Sequence, residues 1–98
     1  MTDDAATPDA AANRARNIVL YTTAFCGYCQ AAKRLLTQRG IPYEEIHLGR
    51  DMESREALVE KTGLMTFPQL LVDDEPIGGF DTMAALDRAG QLGDLAVA

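Results

Sequence analysis

Asn17-Ile18-Val19-Leu20-Tyr21-Thr22-Thr23-Ala24-Phe25-Cys26-Gly27-Tyr28-Cys29 is the stretch on which the fold turns. Its first six residues crowd β-branched and aromatic side chains together and predict a buried strand. Thr23 to Phe25 make a short crossing. From Gln30 to Arg39 strong helix formers follow (Ala31, Ala32, Lys33, Arg34, Leu35, Leu36), and Gly40 stops them. Cys26 therefore falls at the mouth of a strand-to-helix turn. Unpaired N–H groups and the positive helix end favour a thiolate there. In Cys-X-X-Cys such a thiol can drop from a pKa of about 8.5 to roughly 3.5–7.5. Cys29 lies almost one turn further, on the same face and deeper. One cysteine is placed to attack and the other to resolve.

Two plainer readings compete with redox chemistry. Cys26, Cys29 and the single His47 would make part of a zinc site, but structural zinc takes four ligands. A structural disulfide across so short a loop would stabilise little through chain entropy. Redox or thiol-ligand chemistry carries more weight than either.

Ninety-eight residues, 47% of them hydrophobic, allow one domain with one modest core. A formal charge of −6 argues against a nucleic-acid partner, since phosphate needs a basic face. No run approaches the roughly 18 apolar residues of a membrane span, so no membrane role is expected. Met1 to Asp9 carries acids where a signal peptide has basic and then apolar residues. The expectation is a cytoplasmic protein, where Cys-X-X-Cys is usually catalytic.

Residues 1–16 have no useful apolar period and read as a disordered tail, leaving 17–98 as the domain. Beyond the first helix, Gly40-Ile41-Pro42 is a stop and a turn. Tyr43 to Leu48 predicts a second strand, parallel to the first through a crossover, with His47 in an exposed or structural role. Glu53 to Thr62 predicts a helix with Ala57, Leu58 and Val59 inward and Gly63 as its stop. Leu70 to Val72 is a buried strand, with Pro68 acceptable only at its start or on an edge. Asp73 to Pro76 is a tight turn into an antiparallel strand around Pro76–Ile77. Gly78-Gly79 permits positive φ or close backbone approach. Asp81 is the expected N-cap of a last helix over Thr82–Ala89. The order β-α-β-α-β-β-α implies an α/β fold: a four-stranded mixed sheet flanked by three helices.

Three motifs in this order make the chain resemble a glutaredoxin: Tyr21-Thr22-Thr23-Ala24-Phe25-Cys26-Gly27-Tyr28-Cys29, then Thr66-Phe67-Pro68, then Gly78-Gly79-Phe80-Asp81. The resemblance spans about residues 17–92 and implies the thioredoxin-like fold. It implies a glutathione-disulfide oxidoreductase with Cys26 as nucleophile and Cys29 as resolving thiol. Pro68 would be a cis-proline facing the site, turning the Phe67 backbone toward the cysteinyl part of glutathione. Asp81 and Thr82 would hold the γ-glutamyl end beside Gly79, and Thr23 and Tyr28 would complete the glutathione contacts. The family often carries Lys where Thr23 stands, and Arg just before Thr-X-Pro, where Leu64 and Met65 stand. Arg55 would then carry more of the glycyl carboxylate alone. Cys-Gly-Tyr-Cys also resembles the mycoredoxins, and Thr-Phe-Pro-Gln-Leu the monothiol, cluster-carrying glutaredoxins.

The resemblance thus implies two roles. In the first, the Cys26/Cys29 dithiol reduces protein–glutathione mixed disulfides and protein disulfides as a monomer. In the alternative, two chains hold a [2Fe–2S] cluster as carrier or sensor, through Cys26 of each and two glutathione thiols.

Overall fold

The computed structural model describes residues 16–96. Strand β1 (Ile18–Thr22) leads into helix α1 (Gly27–Gln38), and β2 (Glu44–His47) into α2 (Met52–Thr62). A hairpin of β3 (Gln69–Val72) and β4 (Glu75–Gly78) then feeds α3 (Phe80–Arg88), and a 3₁₀ turn over Leu92–Ala96 follows. The sheet order is β2-β1-β3-β4, with β1 parallel to β2 and antiparallel to β3. All four residues of β3 are buried, as are four of five in β1, because these strands take the middle of the sheet. The expected thioredoxin-like mixed sheet is present, and both inner strands deliver their chain ends to one edge.

Period-two alternation sorts the strand residues between two faces. Ile18, Leu20, Leu70 and Val72 pack with Ala32 and Leu36 of α1, Met83 of α3, Ile41 and Leu92. Gln69 and Leu71 point the other way, toward α2. There Thr62 Oγ1 donates to Gln69 Oε1 at 2.9 Å, and Gln69 Nε2 donates to the Leu64 carbonyl at 2.9 Å. A fully buried amide is thereby satisfied on both sides, which locks the end of α2 to the start of β3.

Local signals account for the element ends. Asp51 caps α2, accepting from Glu53 N–H at 3.1 Å and Ser54 N–H at 3.4 Å, and Gly63 closes it in the left-handed conformation. Asp73 and Asp74 both take positive φ in the two-residue β3–β4 turn, the twist such hairpins require. Pro76 sits on β4, an edge strand, where its missing N–H costs no ladder bond.

Three expectations need correction or delimitation. Ala57 is exposed rather than inward, because the helix phase set by Leu58 turns it to solvent. Asp81 is not the cap of the last helix; Gly79 occupies that position without a side-chain bond, and Asp81 lies in the first turn. The tail expected over residues 1–16 lies outside the described residues, except for Arg16, whose N–H donates to Ala96 O at 3.1 Å. Among the described residues, no helix is long and apolar enough to cross a membrane.

Candidate active site

The crossing from β1 to α1 is held from the side by the segment after β2. Leu48 N–H donates to Thr22 O at 2.8 Å, and Ala24 N–H to Gly49 O at 3.1 Å. Phe25 then takes φ 56, a left-handed conformation unusual for an aromatic residue, and is 88% exposed. That reversal sets Cys26 in extended backbone as the N-cap of α1. A sulfur thus does the work usually given to a hydroxyl or carboxylate: Cys29 N–H donates to Cys26 Sγ at 3.2 Å.

The two thiols differ sharply in environment. Cys26 is half-buried, whereas Cys29 is 1% exposed. Burial pushes the Cys29 thiol up to about 11, and its hydrogen bond with Cys26 adds to the shift. Thr23, itself buried, works in the opposite direction through backbone and hydroxyl hydrogen bonds to the same sulfur. Thr23 also forms part of the wall around Cys26.

Across from α1, the Phe67–Pro68 peptide bond is cis. The Phe67 carbonyl faces the nucleophilic position, with Cys26 Sγ donating to it at 3.6 Å. Pro68 is fully buried beneath it. Gly78 and Gly79 bring the start of α3 against this segment. A Cβ on Gly78 would lie 2.5 Å from Thr82 Oγ1, and one on Gly79 would lie 3.3 Å from Pro68 O. Only glycine at 78 lets Thr82 approach so closely, and its φ of 149 suits no other residue well.

Two adjoining grooves, the second lined by Cys26, share a wall of Tyr28, Thr66 and Phe67. One, of about 570 Å³, is completed by Pro68, Gly79, Phe80, Asp81 and Thr82. The other, of about 460 Å³, runs from Thr23 past Phe25 and Cys26 to Arg55 and Met65. All the residues singled out from the sequence thus line one or other groove, save Cys29, buried behind Cys26. Asp81 and Thr82 stand exposed in the first turn of α3, where backbone N–H groups favour an anion and the Asp81 carboxylate a cation. The Arg55 guanidinium lies over the Phe67 ring, 5.5 Å from its centroid, and has no ion-pair partner among the described residues.

Thr66 and Phe80 line the site without having been singled out as site residues. Phe80 packs its ring on Tyr28, with centroids 5.8 Å apart and planes 31° from parallel, fixing an aromatic wall from two distant helices. The motif Gly-Gly-Phe-Asp contained that signal, but only the fold says which aromatic it meets. His47 is occupied elsewhere. Its Nδ1 lies 2.9 Å from Thr22 Oγ1, and Thr22 donates to Glu45 Oε2 at 2.7 Å. The Thr22 hydroxyl and then Lys33 hold the Glu45 carboxyl below its ordinary value. Among the described residues no three His, Cys, Asp or Glu side chains converge as metal ligands.

The comparisons with known proteins agree with this geometry. A family model described as glutaredoxin matches residues 18–77, more than half of the chain. A glutaredoxin of Pseudomonas aeruginosa is 43% identical over 75 residues, covering 76% of this chain and 89% of the relative. Glutaredoxin 3 of Escherichia coli is 37% identical over 79 residues, covering 81% and 95%. Among solved structures, the buckwheat glutaredoxin–glutathione complex superposes with a TM-score of 0.73 at 30% identity, covering 85% of this chain and 83% of that one. With the thioredoxin-like sheet and a Cys-Gly-Tyr-Cys dithiol at the head of α1, the chain belongs to the glutaredoxin family of glutathione-dependent thiol–disulfide oxidoreductases.

Proposed function

We propose that the protein reduces protein–glutathione mixed disulfides and protein disulfides through Cys26 and Cys29, in the cytoplasm, where reduced glutathione is abundant. The observation that carries this reading is the asymmetry of the pair: a half-exposed sulfur lining one of two adjoining grooves, and a buried one behind it. The Cys26 thiolate attacks the glutathione sulfur of a mixed disulfide. A Cys26–glutathione disulfide forms, and the protein thiolate leaves. A second glutathione thiolate then attacks the glutathione sulfur, giving oxidised glutathione and regenerating Cys26. With a protein disulfide, Cys26 forms the mixed disulfide and Cys29, losing its proton as it attacks, closes the Cys26–Cys29 bond and expels the client thiol.

Glutathione is oriented in this reading by groups at both ends. The γ-glutamyl carboxylate meets the opening N–H groups of α3 near Gly79 and Thr82, and Asp81 meets the ammonium. The cysteinyl unit runs along Phe67 beside Pro68 and Tyr28, and Arg55 receives the glycyl carboxylate. The glutathione seen with the buckwheat relative supports this choice of cosubstrate. The test is turnover of a glutathione mixed disulfide coupled to glutathione, glutathione reductase and NADPH. Activity with thioredoxin reductase in place of the glutathione couple would overturn the reading.

A second reading is a dimer that holds a [2Fe–2S] cluster. It is favoured by the free space around Gly27, where an added Cβ would meet nothing within 4 Å, next to the half-exposed Cys26. One chain offers only this one accessible thiol among the described residues, so four thiolate ligands require two chains and two glutathiones. Cys29, buried, is left out of the ligand set.

A further inference from the structure

A third groove, of about 590 Å³, runs along the outside of α2, beyond Arg55. Its floor is apolar: Met52, Ala57, Val59, Met65 and the Phe67 ring. Met52 and Met65 are 57% and 79% exposed, and such thioethers adapt readily to varied apolar surfaces; Met52 Sδ accepts from Arg55 Nη1 at 3.7 Å. Its rim carries Glu53, Glu56 and Glu60, spaced three and four residues apart and therefore on one side of the helix, all exposed. None of the three is ion-paired among the described residues. Arg55, Met65 and Phe67 belong both to this groove and to the one that contains Cys26, so the two are continuous.

We propose that this groove seats the polypeptide flanking the reacting cysteine of a client protein, and that it selects segments in which Lys or Arg alternate with apolar side chains. The inference rests on the reading of Cys26 as the attacking thiol toward protein disulfides and mixed disulfides. Charge complementarity names the occupant: three carboxylates around an apolar floor repel acidic segments and attract basic ones. The chain's own residues 1–16 do not suit the groove, since Asp3, Asp4 and Asp9 outnumber Arg14 and Arg16. Small mixed disulfides end at Arg55 and do not reach the rim. The groove therefore discriminates among protein clients without altering the chemistry at Cys26.

Two synthetic glutathionylated peptides test this, identical except for Lys or Glu at the positions flanking cysteine within an apolar frame. The wild-type protein is expected to prefer the lysine peptide about tenfold or more in kcat/KM at low ionic strength, with the preference shrinking in 0.5 M salt, where screening is short-ranged (about 4 Å). The Glu53→Gln/Glu56→Gln/Glu60→Gln variant should bring the two peptides within about twofold, while glutathionylated cysteine is turned over at the wild-type rate. Equal kcat/KM for both peptides in the wild type overturns the proposal. So does a lysine preference that survives in the triple variant, which would point to a second copy or another face. Failure of glutathionylated cysteine to turn over at all would instead sink the oxidoreductase reading beneath it.

Discussion

The backbone N–H of Cys29 donates to Cys26 Sγ at 3.2 Å, so the buried cysteine supports the exposed one through its main chain while keeping its own thiol out of solvent. This contact adds to the difference in burial that gives the two sulfurs their different work. It also explains why they sit three positions apart at a helix start, where the third N–H of the first turn is unpaired and points back at the cap.

From that asymmetry, Cys29→Ser should retain most of the reduction of glutathione mixed disulfides, because free glutathione can resolve the Cys26 adduct. Cys26→Ser should lose it by several orders of magnitude. Steady-state rates of the two variants check the assignment. If alkylation mapped by mass spectrometry found Cys29 the faster thiol at pH 7, the roles would be reversed.

The Cys29 thiol, pushed up to about 11 by burial, links ionisation to folding. Its folded-state value lies above the ordinary one of 9.0, so the folded state holds this proton more tightly than the unfolded chain. The associated stability is fully present below about pH 9 and is lost as pH rises toward 11. Denaturant unfolding should therefore show wild-type stability falling across that window more steeply than that of Cys29→Ala. Parallel slopes would show that Cys29 ionises in the folded protein as readily as in the unfolded chain.

Arg55, held over the Phe67 ring and free of carboxylate partners among the described residues, is poised for an anion. Arg55→Ala should raise KM for a glutathione mixed disulfide about tenfold or more and leave kcat within about threefold, as expected for loss of a charge-assisted hydrogen bond worth roughly 1.5–3 kcal/mol. An unchanged KM would leave Arg55 as a surface charge.

Glycines 27 and 78 should respond oppositely to the same change. Gly78→Ala forces a Cβ to 2.5 Å from Thr82 Oγ1 at an unfavourable φ, and should cost about 1–3 kcal/mol. It should also raise KM, since the displaced turn carries Asp81 and Thr82. Gly27→Ala meets nothing and lies in the first turn of a helix, so it should be neutral or stabilise by up to about 1 kcal/mol. Thermal melts of the two variants decide the comparison.

Anaerobic reconstitution with iron, sulfide and glutathione tests the second reading. A brown dimer is the expected product. Gly27→Pro, which fixes φ near −65°, should weaken it while sparing the monomeric oxidoreductase, and Cys26→Ser should abolish both. A wild-type protein that stays colourless and monomeric would leave the enzyme alone.

What the sequence determined by itself was everything local. β1, α1 and the placing of Cys26 between them follow from propensity, period and the Gly40 stop, each acting over a few residues. The hairpin at Asp73-Asp74 and the stop at Gly63 are of the same kind. The tertiary structure decided what depends on distant partners. It set the helix phase that exposes Ala57, and the close approach of Gly78 to Thr82 that starts α3 before Asp81. It buried Thr23 beside Cys26 and set Phe80 against Tyr28. It also joined Thr23, Arg55 and Phe67 in one groove although 44 residues separate the first from the last. Such contacts arise when helices pack on a twisted sheet, and no spacing along the chain encodes their distances. The chemistry is therefore local in origin, whereas the shape of what it can act upon is tertiary.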